Sequence, residues 1–373
     1  MKVLHIVSFD VPYPPDYGGA SAVHQLLALL QNNGVHVILH VYTYRDRKVT
    51  DALKEICFRV FEYKRELGLS KQLSSLPYIV NTRNAPELLE NLLADHYPIL
   101  FEGIHTTKYL PQLFKAKRNL YLRAHNNEAA YYAGLAKLES SFVKSLYFKL
   151  ESFRLKNYEN TIVNMVRKVF CFTKKDADTF ASLGADTMVF NPNIIDIKLN
   201  IKEGQGTYLL IHANLSINDN VHSSLEVLKN IANNIKVKII LAGKNPTKLL
   251  IKECSKYANV EIIANPTDIE LITLIQNAHV QLCYSEISEG FKIRMRSLLK
   301  YGRYILANEA FCEDKSIQEM LIVENDLSKW SGMIIELMQK SFELKDIKSR
   351  QDQINLMPMA NNIKDVINIL FEA

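Results

Sequence analysis

The residues best suited to chemistry in this chain lie between Ser288 and Asn308. This segment places Glu289, a glycine and two spaced cations, Lys292 and Arg294, at the start of a predicted apolar helix. The unpaired N–H groups and the positive dipole end of a helix N-terminus favour phosphate, and both cations add positive charge there. The carboxylate of Glu289 can accept hydrogen bonds from hydroxyl groups. A segment that can hold phosphate and hydroxyls together predicts a site for a nucleotide sugar.

A second polar segment runs from Arg123 to Glu128, between a predicted strand and a helix rich in tyrosine and alanine. Polar residues at the end of a strand are costly to bury without partners, which favours a functional role with His125 as the main candidate. The same segment also predicts a helix cap, formed by Asn126 or Asn127 with Glu128 in the first turn. Both interpretations can hold together.

Three other predicted strands end in residues that can bind a ligand. The Tyr17-Gly18-Gly19 turn after the first strand allows the backbone to approach a phosphate or sugar, although an ordinary turn has the same composition. It matches neither the G-x-G-x-x-G fingerprint nor a Walker loop, so the dehydrogenase and nucleoside-triphosphatase classes lose their main support. Glu102 ends an earlier strand on the same expected sheet edge. Lys244 ends a strand of the second half, where it is within reach of a phosphate or part of a plain turn.

The hydrophobic pattern predicts an α/β protein built from two parallel sheets. A buried strand over Lys2–Ser8, a helix over Ala20–Asn32 and a strand over Val35–Thr43 form one right-handed βαβ unit. The pattern lapses around Asn191-Pro192-Asn193, and the same alternation then restarts. Two doubly wound, Rossmann-like halves joined by a short linker predict a cleft, with ligands beyond the carboxyl ends of the strands. The further predicted strands are Pro98–Phe101, Leu120–Ala124, Lys168–Thr173, Tyr208–Ala213, Val237–Ala242, Val260–Ile263, Val280–Cys283 and Tyr304–Ala307, with helices over Lys174–Ser182, Ser223–Ile231, Asp268–Asn277 and Asn361–Phe371.

The bulk properties indicate a two-domain globular protein of the cytoplasm. The 373 residues are too many for one ordinary core. The net charge of +5 lacks the strong, clustered basic excess of a nucleic-acid-binding protein. Five widely spaced cysteines fit neither a zinc site nor a disulfide framework and predict a reducing compartment. The N-terminal apolar run is too short for a signal peptide, and no run reaches the roughly 18 residues of a membrane span.

The segment 141–170 combines large apolar residues at helical spacing with many basic residues. One interpretation is peripheral contact with the anionic inner face of a membrane, where lipid-linked acceptors reside. The other is a long amphipathic helix that packs on its own sheet and leaves a basic face in solvent. The apolar residues are Phe142, Leu146, Leu150, Phe153 and Tyr158, and the basic residues are Lys144, Lys149, Arg154, Lys156, Arg167 and Lys168.

Taken together, these segments resemble the GT-B glycosyltransferases, and most closely the retaining group often called family four. Tyr17-Gly18-Gly19 resembles that family's glycine loop, and Arg123–Glu128 resembles the R-x-H-N-x-E stretch of some members. Ala242–Pro246 is similar to the strand-end A-G-K/R-x-P of certain members. Glu289-Gly290-Phe291, with Gly302 at the end of the helix, is similar to the donor-binding E-G-F…G signature. The resemblance covers nearly the whole chain.

The resemblance implies the GT-B fold, with two Rossmann-like domains and an interdomain cleft. It implies an acceptor-binding domain over 1–192, a nucleotide-sugar-binding domain over 193–350, and a C-terminal helix over 351–373 that can pack back on the first domain. It implies a hexosyltransferase-like, retaining and metal-independent enzyme of surface polysaccharide or glycoconjugate synthesis. The partners are then a nucleotide diphosphate sugar, which is a substrate and not a cofactor, and a glycan or lipid-linked acceptor, with no nucleic acid.

The same resemblance assigns roles to individual residues. His125 and Glu289 are the implied catalytic residues, with His125 near the reacting sugar. The implied acceptor-binding residues are Glu102, Arg123, Asn126 and Glu128. The implied donor-binding residues are Gly18, Gly19, Lys244, Glu289, Gly290, Phe291, Lys292, Arg294 and Ser297.

Three departures from the family pattern leave a second function open. The glutamate that usually holds the ribose is replaced by Ser297, and Lys292-Ile293-Arg294 replaces the usual Gly-Leu-Pro. The positions of a paired Arg and Lys correspond to Asn214 and Asn220, both neutral. Either the diphosphate site is rebuilt around other cations, or the chain is a catalytically degenerate relative that binds nucleotide or glycan or supports a partner enzyme. A sugar-nucleotide epimerase on the same fold is a third candidate.

Overall fold

The described part of this chain forms two compact units, each built on one parallel sheet. The computed structural model describes residues 1–15, 17–44, 47–139, 141–192, 197–289, 291–356 and 363–372. Within those residues the first unit comprises 1–192, Glu289, Phe291 and 363–372, and the second comprises 197–288 and 292–356. Residues Asn193 and Gly290, which the sequence assigned to the linker and to the E-G-F signature, lie outside the described residues.

The first unit contains seven parallel strands in the order β3-β2-β1-β4-β5-β6-β7. The strand order reverses between β1 and β4. The strands are Lys2–Ser8 (β1), Val35–Thr43 (β2), Arg59–Lys64 (β3), Ile99–Glu102 (β4), Leu120–Ala124 (β5), Lys168–Cys171 (β6) and Thr187–Val189 (β7). The helices are Gly18–Asn32 (α1), Asp51–Ile56 (α2), Tyr78–Asn81 (α3), Pro86–Leu93 (α4), Leu110–Lys115 (α5), Glu128–Leu138 (α6), Phe142–Ile162 (α7) and Lys174–Ser182 (α8), with 3-10 turns over Leu69–Leu73, Ile104–Tyr109 and Val163–Met165.

The second unit contains six parallel strands in the order β10-β9-β8-β11-β12-β13, which reverses between β8 and β11. The strands are Leu209–Asn214 (β8), Ile239–Lys244 (β9), Val260–Ala264 (β10), Val280–Cys283 (β11), Tyr304–Ala307 (β12) and Ile322–Val323 (β13). The helices are Asn218–Ile231 (α9), Lys248–Cys254 (α10), Asp268–Asn277 (α11), Met295–Tyr301 (α12), Lys315–Gln318 (α13), Leu327–Leu337 (α14) and Leu344–Leu356 (α15), and Ile363–Phe371 (α16) follows in the first unit.

The first sheet is covered on both faces, which explains why its strands are nearly continuous apolar runs. In β1, Ile6 faces one core and Val7 the other, because successive side chains point to opposite sides of a strand. Helix α16 contributes Val366 and Leu370 to the Ile6 core, and Ile369 accepts a hydrogen bond from a tyrosine of β5 at 2.8 Å.

The predicted α/β class and doubly wound sheets are confirmed, and several predicted bounds hold residue for residue, including β1, β2, α11, β11 and β12. The predicted helix over Ser223–Ile231 is wrong at its start, since α9 begins at Asn218. The bounds of α16 differ from the prediction only where residues are outside the described part of the chain. Strands β3, β7 and β13 carried no prediction, because they are short or partly exposed edge segments without a clear apolar run.

Helix α12 corrects the opening prediction about the helix N-terminus. It begins only at Met295, and the first N–H groups bond backwards: Met295 N to Lys292 O at 2.7 Å and Arg296 N to Ile293 O at 3.1 Å. These amides were expected to face phosphate, but the preceding turn satisfies them. The positive charge of this segment is therefore supplied by its side chains.

None of the helices within the described ranges is both long and apolar enough to cross a membrane.

Candidate functional site

Polar side chains gather at the carboxyl edge of the first sheet, beside the reversal of strand order between β1 and β4. Doubly wound sheets bind ligands outside such a point. Glu102 ends β4, Arg123 lies in β5, and His125 directly follows β5. The parallel register pairs Glu102 with Arg123, which brings these three predicted residues together although 21 positions separate the first two.

One carboxylate oxygen holds this cluster together. Glu102 Oε2 lies 2.9 Å from both Arg123 Nε and Arg123 Nη2, and 2.7 Å from His125 Nε2. Arg123 Nη2 also donates to the Ala22 carbonyl of α1 at 3.0 Å, and its guanidinium lies over the Phe172 ring. Because the Glu102 carboxylate accepts from Nε2 of His125, the imidazole carries its proton on Nε2 and presents Nδ1 as an acceptor.

Burial and the neighbouring charges shift the pKa values of this cluster in opposite directions. Burial by itself would raise the pKa of Glu102, but the Arg123 charge and the hydrogen bond from His125 outweigh it, so this pKa lies below its usual range. Burial lowers the pKa of His125 despite the neighbouring carboxylate. At neutral pH the cluster therefore holds an ionised Glu102, a charged Arg123 and a neutral imidazole, which can orient or polarise a bound hydroxyl.

Phe9, directly after β1, packs on the imidazole side of this cluster. Its ring centroid lies 5.3 Å from those of both His105 and His125. Its carbonyl accepts two hydrogen bonds from the buried Arg83, at 3.1 and 3.0 Å. A Cβ on Gly19 would lie 2.7 Å from the far end of the Phe9 ring, so a larger residue there would displace that ring. Phe9 thus links the glycine segment to the histidines.

Three buried polar atoms of this edge have no hydrogen-bond partner within the residues described. They are Glu102 Oε1, His105 Nδ1 and Arg123 Nη1. Burial, together with the charge of Arg83, lowers the pKa of His105 well below its usual range, so its ring is neutral. Unpaired buried polar atoms are costly, and their concentration at the ligand edge of a sheet is typical of a binding site.

The structure corrects the expected position of the glycine turn. Gly18 and Gly19 are the first two residues of α1, preceded by Tyr17 in an extended conformation, and are not a loop before the helix. Neither has a positive φ. The Tyr17 hydroxyl donates to Asp10 Oδ2 at 2.8 Å, and the Arg47 guanidinium lies over its ring. The contact of Gly18 and Gly19 with the donor stays a prediction.

The start of α6 confirms the predicted cap at Asn127 and brings the acids Asp176 and Glu159 to the same place. Asn127 Oδ1 accepts from Ala130 N at 2.7 Å, Asp176 Oδ1 accepts from Asn127 N at 3.1 Å, and Glu159 Oε1 accepts from Glu128 N at 2.9 Å. The N-terminus of α6 is thus occupied by the protein's own oxygens.

The predicted acceptor residues Asn126 and Glu128 lie at this helix start. Asn126 Nδ2 donates to Glu128 Oε1 at 3.0 Å, and Glu128 is buried. Burial raises the pKa of Glu128 to about 7 and that of Glu159 to about 8, and repulsion from the neighbouring carboxylates adds to both. Their contact with an acceptor stays a prediction.

Cations gather at the carboxyl edge of the second sheet, beside the reversal between β8 and β11. Lys292 Nζ donates to the Ile287 carbonyl at 2.9 Å, and Arg294 Nη1 donates to the His212 carbonyl of β8 at 2.9 Å. The Arg294 guanidinium lies 4.7 Å from the Phe311 ring centroid. Within the described ranges no carboxylate lies within ion-pair distance of Arg294.

A buried acid, Asp219, completes this edge, although no sequence motif contains it. Its Oδ1 has no hydrogen-bond partner in the described residues. Burial raises its pKa, while the charges of Lys292, Arg294 and His222 act in the opposite direction. Burial and the Arg294 charge also lower the pKa of His212 to about 3, so His212 adds no positive charge.

The other predicted donor residues lie at or near the same strand ends. Lys244 is the last residue of β9, next to Gly243, where a Cβ would lie 1.8 Å from the Ala213 carbonyl oxygen. The Asn220 amide donates to the Asn214 carbonyl at 3.0 Å and closes the turn after β8. Ser297 lies within α12 and is partly exposed.

Glu289 and Phe291 belong to the first unit rather than to the second, where the sequence analysis placed them. Lys175 of α8 donates to Glu289 Oε1 at 3.3 Å. Their contact with a donor sugar stays a prediction.

Comparison with known proteins identifies the fold. No family model matches this chain. It is 24% identical over 368 residues to an uncharacterised 44.6 kDa protein in the cps region of Klebsiella pneumoniae, covering 93% of this chain and 94% of that protein. It superposes on sucrose-phosphate synthase from Thermosynechococcus elongatus with a TM-score of 0.71 at 13% identity, covering 100% of this chain and 99% of that one.

A second solved structure is similar over the same length. The E. coli trehalose-6-phosphate structure bound with UDP-2-fluoro glucose matches with a TM-score of 0.63 at 11% identity, covering 100% of this chain and 99% of that chain. Both neighbours are GT-B structures with two sheets of this kind. The chain therefore has the GT-B fold.

Proposed function

We propose that this protein is a glycosyltransferase that moves a sugar from a nucleotide diphosphate sugar to a glycan or lipid-linked acceptor. One observation carries the proposal: within a GT-B fold, both carboxyl edges hold chemistry suited to such a substrate. The second edge carries Lys292, Arg294 and Lys244, and the first carries a fixed neutral imidazole at His125. The bound UDP-2-fluoro glucose of the E. coli structure supports the choice of donor class.

In this proposal the second edge binds the donor's diphosphate. Lys292 and Arg294 hydrogen-bond to carbonyl oxygens, which bind a cation without cancelling its charge. Negative charge grows on the diphosphate as it leaves, so fixed cations there stabilise the transition state more than the ground state. Lys244 supplies a further charge, Ser297 contacts the ribose, and Glu289 with Gly290 and Phe291 binds the sugar.

The first edge then positions the reacting groups. His125 lies near the reacting sugar and offers Nδ1 to a hydroxyl, with its ring fixed by Glu102. Glu102 and Arg123 have no exposed surface, which supports a positioning role for both over direct contact with the acceptor. Asn126 and Glu128 are the proposed acceptor contacts, and Gly18 and Gly19 approach the donor through the backbone.

The pathway is proposed from the relative. A similar protein encoded in a cps region supports a role in surface polysaccharide synthesis. We further propose a retaining, metal-independent reaction in the cytoplasm, on the resemblance to family four.

A catalytically degenerate protein is the second candidate. Ser297 stands where the family has its ribose-holding glutamate, and the neutral Asn214 and Asn220 stand in place of its paired cations. Such a protein would bind a nucleotide or glycan without transfer.

A nucleotide-sugar panel followed by a turnover assay separates the candidates. Thermal shift with UDP-, GDP-, ADP- and dTDP-sugars should identify one donor, since a ligand at 100 times its Kd stabilises by about 2.7 kcal/mol. A glycosyltransferase then releases nucleoside diphosphate when a glycan or lipid-linked acceptor is added. Donor binding without acceptor-dependent release supports the degenerate protein. Interconversion of the donor sugar without acceptor supports an epimerase, and absence of any shift contradicts the proposal.

A further inference from the structure

Helix α7 has an inverted distribution of polar and apolar residues. Its two acidic residues, Glu151 and Glu159, are buried, whereas Phe142 and Phe153 are exposed by 81% and 64%. The buried acids have structural partners: Glu151 accepts from Tyr78 N, and Glu159 from the start of α6. Four residues of the predicted stripe, Phe142, Leu146, Leu150 and Phe153, are exposed and do not pack on the protein's own sheet. Tyr158, the fifth, does pack against the core.

The exposed apolar residues form one continuous stripe. At 100° per residue, Phe142, Leu146, Leu150 and Phe153 lie within about 80° of one another, and Val143 borders them. All five are exposed. The opposite side of the helix packs against α6, where the Tyr132 and Phe148 rings meet edge to face. A stripe of this size on one side of a helix is typical of an interaction surface.

A neighbouring turn extends the stripe. Leu73, at the end of the 3-10 turn Leu69–Leu73, is 88% exposed. Arg154 Nη1 donates to the carbonyl of Gln72 at 2.9 Å and ties this turn to α7. A groove of about 430 Å³ lies along this part of α7, lined by Leu150, Phe153, Arg154, Asn157 and Tyr158 and by Ser75, which follows the turn. The apolar surface thus spans two elements that are fixed to each other.

The exposed charge of α7 is entirely positive. Lys149 and Lys156 are exposed on one border of the stripe and Lys144 is also exposed, whereas Arg154 on the other border is half-buried. Of the two acids between 142 and 162, Glu151 pairs with Arg154 at 2.7 Å and Glu159 is buried at the start of α6, so neither offsets the three lysines. A second copy docked symmetrically on this stripe would bring lysines against lysines, so the charge favours an anionic occupant.

We propose that this face of α7, together with Leu73, binds the surface of an anionic lipid bilayer. The apolar stripe enters the boundary between headgroups and acyl chains, while the flanking lysines meet the anionic headgroups. This arrangement anchors the protein at the membrane without crossing it. The inference rests on the exposed surface alone and does not depend on the proposed reaction.

Vesicle flotation of the full chain tests this inference. The vesicles are pure phosphatidylcholine or contain about one-third phosphatidylglycerol. We expect binding to the anionic vesicles that weakens as salt is raised, because screening shortens the reach of the lysine charges. Failure of the wild-type protein to bind anionic vesicles at low salt would overturn the proposal.

Two variants separate the apolar and charged contributions. Phe142→Ser with Phe153→Ser should weaken binding by at least about tenfold. Lys149→Ser with Lys156→Ser should weaken it by about 25-fold at low salt, since each lysine near an anionic surface contributes about fivefold. The controls are Ile269→Ser and Lys248→Ser, exposed residues of the second unit that should leave binding unchanged.

The same variants test the competing occupant. If the stripe instead covers a second copy, sedimentation of the wild-type protein will show a dimer that Phe142→Ser with Phe153→Ser dissociates, without vesicle binding. That result, or equal vesicle binding by the stripe variants and the controls, contradicts the lipid assignment.

Discussion

The two carboxyl edges handle positive charge in different ways. At the first edge Arg123 is fully buried and lies 2.9 Å from the Glu102 carboxylate, so the charge is neutralised inside the protein. At the second edge Lys292 and Arg294 donate to main-chain carbonyls, and the charges of both act on the nearby Asp219. The first arrangement holds the side chains in fixed positions, and the second leaves positive charge that can attract an anion.

This difference assigns different tasks to similar residue types. A buried ion pair contributes little net stability, but breaking it leaves an uncompensated charge in the interior. A cation held by carbonyl oxygens can still attract an anion, because those oxygens cancel only part of its charge. We therefore expect substitutions at the first edge to affect folding most, and substitutions at the second to affect ligand binding and turnover.

The largest expected effect is at the first edge. Glu102→Gln removes the charge that compensates Arg123 and should lower the free energy of unfolding by about 3–5 kcal/mol. Urea denaturation measures this change. Glu90→Gln, an exposed glutamate of α4, is the matched control and should stay within about 0.5 kcal/mol of the wild type. A Glu102→Gln protein as stable as the control would show that the Glu102 charge is not needed to compensate Arg123 in the folded state.

The next effect is at the second edge. Lys292→Ala should lower kcat by about 10²–10³-fold, because one donor to a leaving oxyanion contributes about 2.7–4 kcal/mol. Its melting temperature should stay close to that of the wild type. Lys248→Ala, an exposed lysine of the same unit, should retain full turnover. Retention of full turnover by Lys292→Ala would remove this residue from the site.

The buried acids at the start of α6 should make the free energy of unfolding depend on pH. The folded pKa values of Glu128 and Glu159, about 7 and 8, lie above the ordinary value of 4.5. The folded protein keeps protons that the unfolded chain releases, so this stability is present below about pH 4.5 and is lost as pH rises through the folded values.

Glu159→Gln removes one of these ionisations while keeping an oxygen to accept from Glu128 N. The loss of unfolding free energy between about pH 5 and about pH 8 should shrink by an amount on the order of 2 kcal/mol relative to the wild type. Chemical denaturation at both pH values measures it. An identical pH dependence in both proteins would mean that Glu159 is ionised in the folded state.

The smallest expected effect is a change in nucleoside diphosphate affinity at the second edge. Asp219→Asn removes the negative charge near Lys292 and Arg294, so the affinity for a nucleoside diphosphate should rise. We expect a change of roughly 1 kcal/mol, about a fivefold lower Kd, measured by calorimetry at low salt. Weaker binding would indicate that Asp219 contacts the ligand or orients the cations.

The fold could be predicted because its signals are local and repeated. Strands such as Lys2–Ser8 are mostly apolar, and helices such as Asp268–Asn277 begin at a capping box. The start of α1 was misplaced because glycines favour loops, whereas here Gly19 makes room for Phe9. That requirement comes from packing against a residue outside the helix, which the local pattern does not contain.

Only part of the candidate site was predictable. Polar residues after strands β4 and β5 have a sequence signal, and the parallel register brings them together. His105 has a weaker signal, since an acid and a histidine after a strand are common, and Asp219 has none. The exposed stripe of α7 was ambiguous because spacing shows that Phe142 and Leu146 share a face but not which face is buried. The burial of Glu151 and Glu159 decides that question.

The most direct test of the account is calorimetric titration of the matching nucleoside diphosphate into the wild type, Lys292→Ala and Glu102→Gln. We predict that Lys292→Ala loses most of the affinity with its fold intact, because the second edge holds the diphosphate. Glu102→Gln should retain the affinity at a temperature where it is folded. Unchanged binding by Lys292→Ala, or equal loss in both variants, would contradict the assignment of the diphosphate to the second edge.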